Sequence, residues 1–464
     1  MTSDIFTNDI FYALATVFLF LAVVAFGFID SGLVRRKNLL DTWIQKLVGA
    51  LIAGGAFMIV GYGVWQWQFN QAFAVPNPLG TAIKDWWLGG VDMVKLPQTL
   101  NPTSVPLADQ QQVFAAFWFA YAAALGALIH SASLERVKAI AVYILCFIGG
   151  GVVLPITGYL TWGSVSPLTN HGLHDYIGCF SFYIFVGVWA LIIAWRAGPR
   201  LGLGRPHPRT QGPFPHNLGT TSAGVGLLMI AIPFLVLGCG YIVQGSGYYG
   251  IAMTQSGIGL VLTNIFMAFV GGGIGGAILG YWKKNAVFVL LGPIAGYVAC
   301  TAGMDVLKPW SALLVSMGGP LSLYLVYLLM GRLKIDEQKV VPLTLGPGIY
   351  SAIMTGLVAW HTHDGGYLGL TGKYAAGHAE IAPQTQLLGV AITVAIAAIS
   401  GLIVVVGIEK TIGLRVKEKD ELIGLDTYYW GMPSAAEIAY PIAANGEVGA
   451  TDELDRPPLP TGVS

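Results

Sequence analysis

Trp162 to Val186 reads WGSVSPLTNHGLHDYIGCFSFYIFV, and the apolar run inside it continues without a charge until Arg196. About 20 apolar residues span a hydrocarbon core of about 30 Å. An acidic residue, Asp175, stands just before the run, the position from which a side chain caps a helix. The stretch therefore reads as a loop, a cap and a membrane-spanning helix over about 176–195.

The rest of the chain repeats that pattern. Of 464 residues, 55% are hydrophobic and only 10% charged, against roughly a quarter charged in soluble domains. Eleven spans are expected, at about 9–30, 46–64, 112–133, 139–160, 176–195, 219–240, 257–280, 286–303, 310–330, 346–360 and 386–408. The eighth and tenth are short and glycine-rich. Charge supports the count. With the N-terminus outside, the odd-numbered loops and the C-terminal tail hold 20 of the 24 Lys and Arg residues; only Lys84, Lys95, Lys308 and Lys373 fall outside. This is the positive-inside pattern. The first apolar segment has no basic region before it and no small-residue cleavage pattern after it, so a retained helix is expected. The fold class is thus an all-α integral membrane protein of the cell (inner) membrane, with N outside and C cytoplasmic.

The expected organisation is one channel-like domain over 1–410 and a cytoplasmic tail over 411–464. The inner Gly/Pro/Arg-rich loop 196–214 divides the domain into halves of about 9–195 and 219–360, with a last helix at 386–408. Five spans before the linker and five after it would have opposite orientations, the parity of an inverted repeat. The eleventh stands outside the repeat. The outer loop 66–110, with its WWLGG and LPQTLNPTSVP runs, reads as a packed cap or a partner surface. Residues 445–464 read as disordered. Glycines at 271–276 (GGGIGG) and 53–55 (AGG) suit close helix packing. Cys146, Cys179, Cys239 and Cys300 lie in or beside apolar spans and read as buried small residues.

Several motifs, in order and at consistent spacing, resemble the Amt/Mep/Rh family of ammonium channels. They are GLVRRKN (32–38), Leu134-Glu135-Arg136, the opening segment, GPRLGLG followed by PHNL (198–204, 215–218), LKIDEQKVVPLTLGPGIYSAIMTG (333–356) and EKTIGLRVKEKDELIGLD (409–426). The resemblance implies a homotrimer in the lipid bilayer, one pore per subunit. It also implies ammonium or ammonia as ligand, a PII-like or membrane-complex partner, and no cofactor. In that family an outer aspartate and tryptophan hold the cation, aromatic residues gate the pore, and two histidines line it. A dry pore rejects K⁺ and Na⁺ by desolvation, and imidazoles relay the proton that ammonium sheds.

Carried over residue by residue, the outer pair is Trp162 and Asp175, with one extra residue between them relative to the family spacing. The gate is Tyr121, where the family has a phenylalanine, and Leu235, where it has a second aromatic within a Trp-Phe-Gly-Phe-Asn pattern, and the outer serine is Cys239. The paired histidines are Tyr183 and Leu345, and the acidic residue before the second of them is Val340. Pro233 is expected to kink the sixth span. None of the eight histidines falls mid-span; His130 lies near the cytoplasmic end of the third. Asp175 has two readings, a helix cap or a retained cation site. The outer histidines, His171, His174, His361, His363 and His378, read as solvated loop residues. His361 and His363 form the one pair that could take a metal. Tyr428-Tyr429-Trp430 reads either as packing on the protein's own base or as docking onto membrane or protein.

No catalytic constellation is present, and haem would need axial ligands inside the bundle. Zero formal net charge identifies no partner, and nucleic acid is not expected. The expected function is an ammonium- or ammonia-transporting channel with an altered pore. The alternative is a non-conducting sensor or structural subunit of a larger membrane complex.

Overall fold

The computed structural model describes residues 2–88, 108–163, 165–203, 215–243 and 245–432. The runs LPQTLNPTSVP and 445–464, and most of the central linker, lie outside them. Ten helices among the described residues are long and apolar enough to cross a membrane: Thr7–Leu33, Arg36–Ala72, Gln112–Ser133, Ala139–Thr161, Cys179–Ala197, Leu218–Leu237, Ile258–Lys283, Pro309–Leu333, Val340–Val358 and Pro383–Thr411.

The eighth expected span is the exception. It is helical only over Ala286–Val298, about 20 Å at 1.5 Å per residue. The sequence continues into turns at 299–306, where Thr301 O and Ala302 O accept from Ile177 N and Tyr176 N at 3.2 and 3.1 Å. Those carbonyls serve the neighbouring loop instead of extending a helix. Among the described residues, then, ten of the eleven expected spans have the length of a crossing, and the eighth is a shorter apolar helix. The second span is longer than expected. It starts at Arg36 instead of 46 and ends at Ala72, so Lys46 is not a loop residue but lies fully buried within it. The tenth begins at Val340, six residues before the expected 346.

Among the described residues three spans contain a π-helical stretch: Phe57–Gly61, Gly149–Val153 and Cys179–Ile184. Each inserts a residue into the α-helical count and turns the following side chains to a new face. The first two pack on each other, and a methyl on Gly61 would meet Gly151 O at 3.2 Å. The third carries Tyr183.

The halves meet along the first helix of each. Gly224 faces Ile29 N and Ala25 O so closely that an added Cβ would lie 2.6 and 2.8 Å from them. The hairpin of Ile258–Lys283 and Ala286–Val298 is equally tight. A Cβ on Gly272 would come within 2.5 Å of Gly292 O and 2.7 Å of Gly296 Cα. Small residues at such a crossing let backbones touch where larger ones would hold them apart. Two short antiparallel ribbons, Gly240–Val243 with Gly247–Gly250 and His363–Asp364 with Ala379–Glu380, tie down loops at one end of the bundle.

The other end of the bundle is closed by charge. Glu135 accepts from Arg35 Nε at 2.9 Å and Arg200 Nη1 at 3.1 Å, while Asp336 accepts from Arg136 Nη1 at 2.9 Å and Arg200 Nε at 2.8 Å. Glu421, from the tail, accepts from Leu201 N and Arg415 Nη2, both at 2.7 Å, and from Arg35 Nη2 at 3.3 Å. Burial alone would raise the Glu135 carboxyl, but Arg35 and Arg200 outweigh it and hold it at about 2. The aromatic cluster joins the same base. Trp430 Nε1 donates to Asp41 at 3.2 Å, and Tyr429 Oη accepts from Ala139 N at 3.1 Å. Tyr428 remains 46% exposed.

Candidate functional site

Between the two halves lies a cavity of about 50 Å³, lined by Tyr121, Phe182 and Tyr183 from the first half and by Leu235, Tyr297 and Leu343 from the second, among others. One water-sized molecule needs roughly 10–15 Å³, so the space suits a few molecules the size of water or ammonia. No histidine is among the described residues that line it. Its polar groups include two hydroxyls that face each other: Tyr183 Oη donates to Tyr297 Oη at 3.3 Å, with the rings edge to face at 6.2 Å.

One end of the cavity is closed by aromatic rings. Tyr121 stacks on Trp162 at 5.1 Å and 18°, and Trp118 meets Trp162 edge-on at 4.7 Å. Trp65 stands 4.6 Å from Trp118 and 5.8 Å from Trp162. Polar atoms hold the stack in place. Tyr121 Oη donates to Ile177 O at 2.7 Å, and Trp162 Nε1 donates to Tyr176 O at 3.0 Å. Trp162 is 1% exposed.

Asp175 is spent on backbone. Its Oδ1 accepts from Gly178 N and Cys179 N at 2.8 and 2.7 Å, and its Oδ2 accepts from Phe180 N at 3.1 Å. This is an N-terminal cap that takes three donors the fifth span would otherwise leave unmatched. Burial raises the carboxyl to about 7 against the pull of those three hydrogen bonds. Cys239 is buried, with Sγ 3.5 Å from Leu235 O. Leu345 packs toward the neighbouring helix, where a Cβ on Gly187 would lie 2.8 Å from Leu345 Cβ. Its predecessors Leu343 and Thr344 line the cavity.

The outer histidines divide. His361 Nδ1 pairs with Glu380 Oε2 at 2.8 Å, and His363 Nδ1 with Gly377 O at 3.1 Å, both on the surface. Among the described residues no group of three or more His, Cys, Asp or Glu side chains is placed to hold a metal ion. His174, expected in solvent, is instead fully buried. Its Nε2 lies 2.8 Å from Asp305 Oδ1 and its Nδ1 3.3 Å from Asp364 Oδ2. Burial disfavours the imidazolium, but the two carboxylates prevail and raise it to about 10. Thr254 Oγ1 also donates to Asp305. Four separate loops thus converge on one buried imidazole and its two carboxylates. Sequence reasoning missed this cluster and Tyr297. The signal available was Asp364 beside His363, a carboxylate in a loop otherwise short of acids.

A model of the Ammonium Transporter Family matches residues 10–434. The chain belongs to the ammonium transporter family. Relatives within it include ammonium transporters Amt1 and Amt2 of Methanocaldococcus jannaschii. They are 26% and 28% identical, over 90% and 93% of this chain and 95% and 92% of theirs. Among solved structures, a sensor Amt protein superposes with a TM-score of 0.69 at 20% identity, covering 93% of this chain and all of that one. Mep2 of Candida albicans gives 0.66 at 17% identity, covering 89% and 86%. These structures share the ammonium transporter fold. In this ammonium transporter family member the cavity and its closed end occupy the junction of the two halves.

Proposed function

We propose that this protein is an ammonium-transporter-like channel of the cell membrane whose pore chemistry has been altered. The carrying observation is the cavity itself: it lies between the halves, is walled by apolar side chains, and holds the hydroxyl pair Tyr183 and Tyr297. Two phenols offer hydrogen bonds to ammonia. They do not take up a proton near neutral pH as imidazole does. The reading therefore assigns movement of a small neutral molecule, with Tyr183 and Leu345 standing where the family resemblance places histidines. A homotrimer with N outside and C inside, and a PII-like or membrane-complex partner at the charged base, complete the proposal.

Stopped-flow ammonia uptake and ammonium-evoked current in liposomes test it together. Uptake above protein-free liposomes without current supports a neutral path; current of the size of a charge-moving transporter refutes it. Introducing Tyr183→His with Leu345→His should add current; a double variant equal to the parent would show that these two substitutions do not set the pore chemistry.

One observation favours a second reading, a non-conducting sensor or structural subunit. The closed end has Tyr121 and Trp162 pinned by hydrogen bonds to Ile177 O and Tyr176 O, and the Asp175 carboxylate has no oxygen free of backbone donors. Silence in both assays from folded protein selects this reading.

A further inference from the structure

The end of the path away from the aromatic stack carries charge that the pore reading leaves unused. A second cavity, about 20 Å³, adjoins the first and shares Phe26, Leu128, Leu228, Ile294, Leu343 and Thr344 with it. Beyond that shared apolar wall its lining includes Asp30, Ser131 and Lys339. Asp30 belongs to the first span and is 1% exposed. An ionisable side chain at such depth has to be paired, and by default it marks a functional position.

Asp30 is paired twice. Its Oδ2 accepts from Lys46 Nζ at 2.7 Å and from Ser131 Oγ at 2.6 Å, and its Oδ1 receives Lys339 Nζ. The two lysines differ. Lys46 is fully buried, and Nζ also donates to Ala127 O and Ser131 Oγ, both at 2.9 Å. All three of its donors are placed. Lys339 has a side chain 15% exposed and stands at the residue before the helix Val340–Val358. The nearby Glu337 is committed elsewhere: its carboxylate accepts from the backbone N–H of Lys339, Val340 and Val341.

Burial pulls the Lys339 ammonium down to about 7, so below that pH, the range in which the labelling below is run, two ammonium groups on one carboxylate leave a surplus positive charge. Lys46 alone neutralises Asp30, so Lys339 can depart without stranding a buried anion, the step that makes most buried pairs costly to break. We propose that Lys339 is the inner gate and charge filter of this cavity. Seated on Asp30 it closes the exit and repels a cation; swung into solvent, it leaves the neutral Asp30–Lys46 pair and an open apolar passage. The use of this gate rests on the channel reading above; the gating of the cavity by charge does not.

Thr344 lines both cavities and supplies the probe position. Purified protein carrying Thr344→Cys would be reacted with silver ion, a small cation, and with neutral methyl methanethiosulfonate. The same protein without the new cysteine serves as blank. Lys339→Ala should speed both reagents, and should speed silver by a further factor on the order of ten as one unit of repulsion is removed. Lys339→Arg should keep the discrimination and show that the altered rates are not those of a misfolded chain. Unchanged rates in Lys339→Ala would overturn the gate, and equal acceleration of the two reagents would overturn the charge filter. Ammonia uptake by the parent is read separately. If labelling follows the gate while uptake is nil, the channel reading fails and the gate stands.

Discussion

Asp175 shows how one residue can satisfy two readings until geometry chooses. Three backbone N–H groups converge on its carboxylate, so Asp175→Ala leaves three buried donors bare. The loss should be about 2–4 kcal/mol of stability, measured as a lower thermal midpoint, with Asp175→Asn losing less. A variant as stable as the parent would contradict the cap. His174 gives a pH dependence. Its folded pKa, about 10, stands above the unfolded value near 6.5, so its stabilising contribution is complete below about pH 6.5 and is lost as pH rises toward about 10. The thermal midpoint of the parent should fall across that window relative to its value at pH 6. In His174→Gln the fall should be smaller, and the starting midpoint lower. An equal fall in both proteins would assign the effect to other groups. Single residues were the least legible scale in the sequence. Nothing in HGLHDY says that the second histidine turns inward onto Asp305 and Asp364, because those partners lie 131 and 190 residues away.

At the scale of elements, apolar runs located most of the helices, because their length follows directly from the bilayer, but they misplaced the start of the second and overextended the eighth. They did not locate the π-helical stretches. An extra residue in a helix leaves hydropathy unchanged, yet it sets which face Tyr183 presents. Of two corresponding caps, only the one on Asp175 was legible in the sequence; the one on Glu337 was not. The fifth span starts on Asp175 and the tenth on Glu337, each carboxylate taking three successive or near-successive backbone donors. That correspondence supports the inverted-repeat reading where residue similarity is absent. The glycine readings separate cleanly by surroundings. Gly272→Ala forces the hairpin against Gly292 O and Gly296 Cα and should cost about 1–3 kcal/mol. Gly226→Ala, with nothing within 4 Å of the new methyl, should be neutral or stabilising by up to about 1 kcal/mol. Equal midpoints for the two variants would remove close packing as the reason for the glycine-rich run.

Across the whole molecule, the base is where distant segments become one unit. Glu421 joins the tail to Arg35 near the start of the chain and to the Leu201 backbone at its centre. Glu421→Ala should loosen the tail without unfolding the spans. Limited proteolysis should cut near residues 411–432 several-fold faster while the thermal midpoint moves by little. A tail cut no faster than in the parent would mean that Tyr429 and Trp430 hold it unaided. The sequence made the membrane class and the family legible, because composition and ordered motifs are properties of the whole chain. It did not reveal the base network, whose members are spread from residue 35 to residue 421 and meet only in three dimensions.

The aromatic stack has a consequence of another kind. Trp65, Trp118 and Trp162 stand within 5.8 Å of one another, with Tyr121 face to face on the last. Indoles so close share their electronic excitations, so this end of the cavity carries its own optical signature in near-ultraviolet circular dichroism. A ligand or partner that parted the rings would announce itself in that spectrum without any label, and one that left them together would be silent.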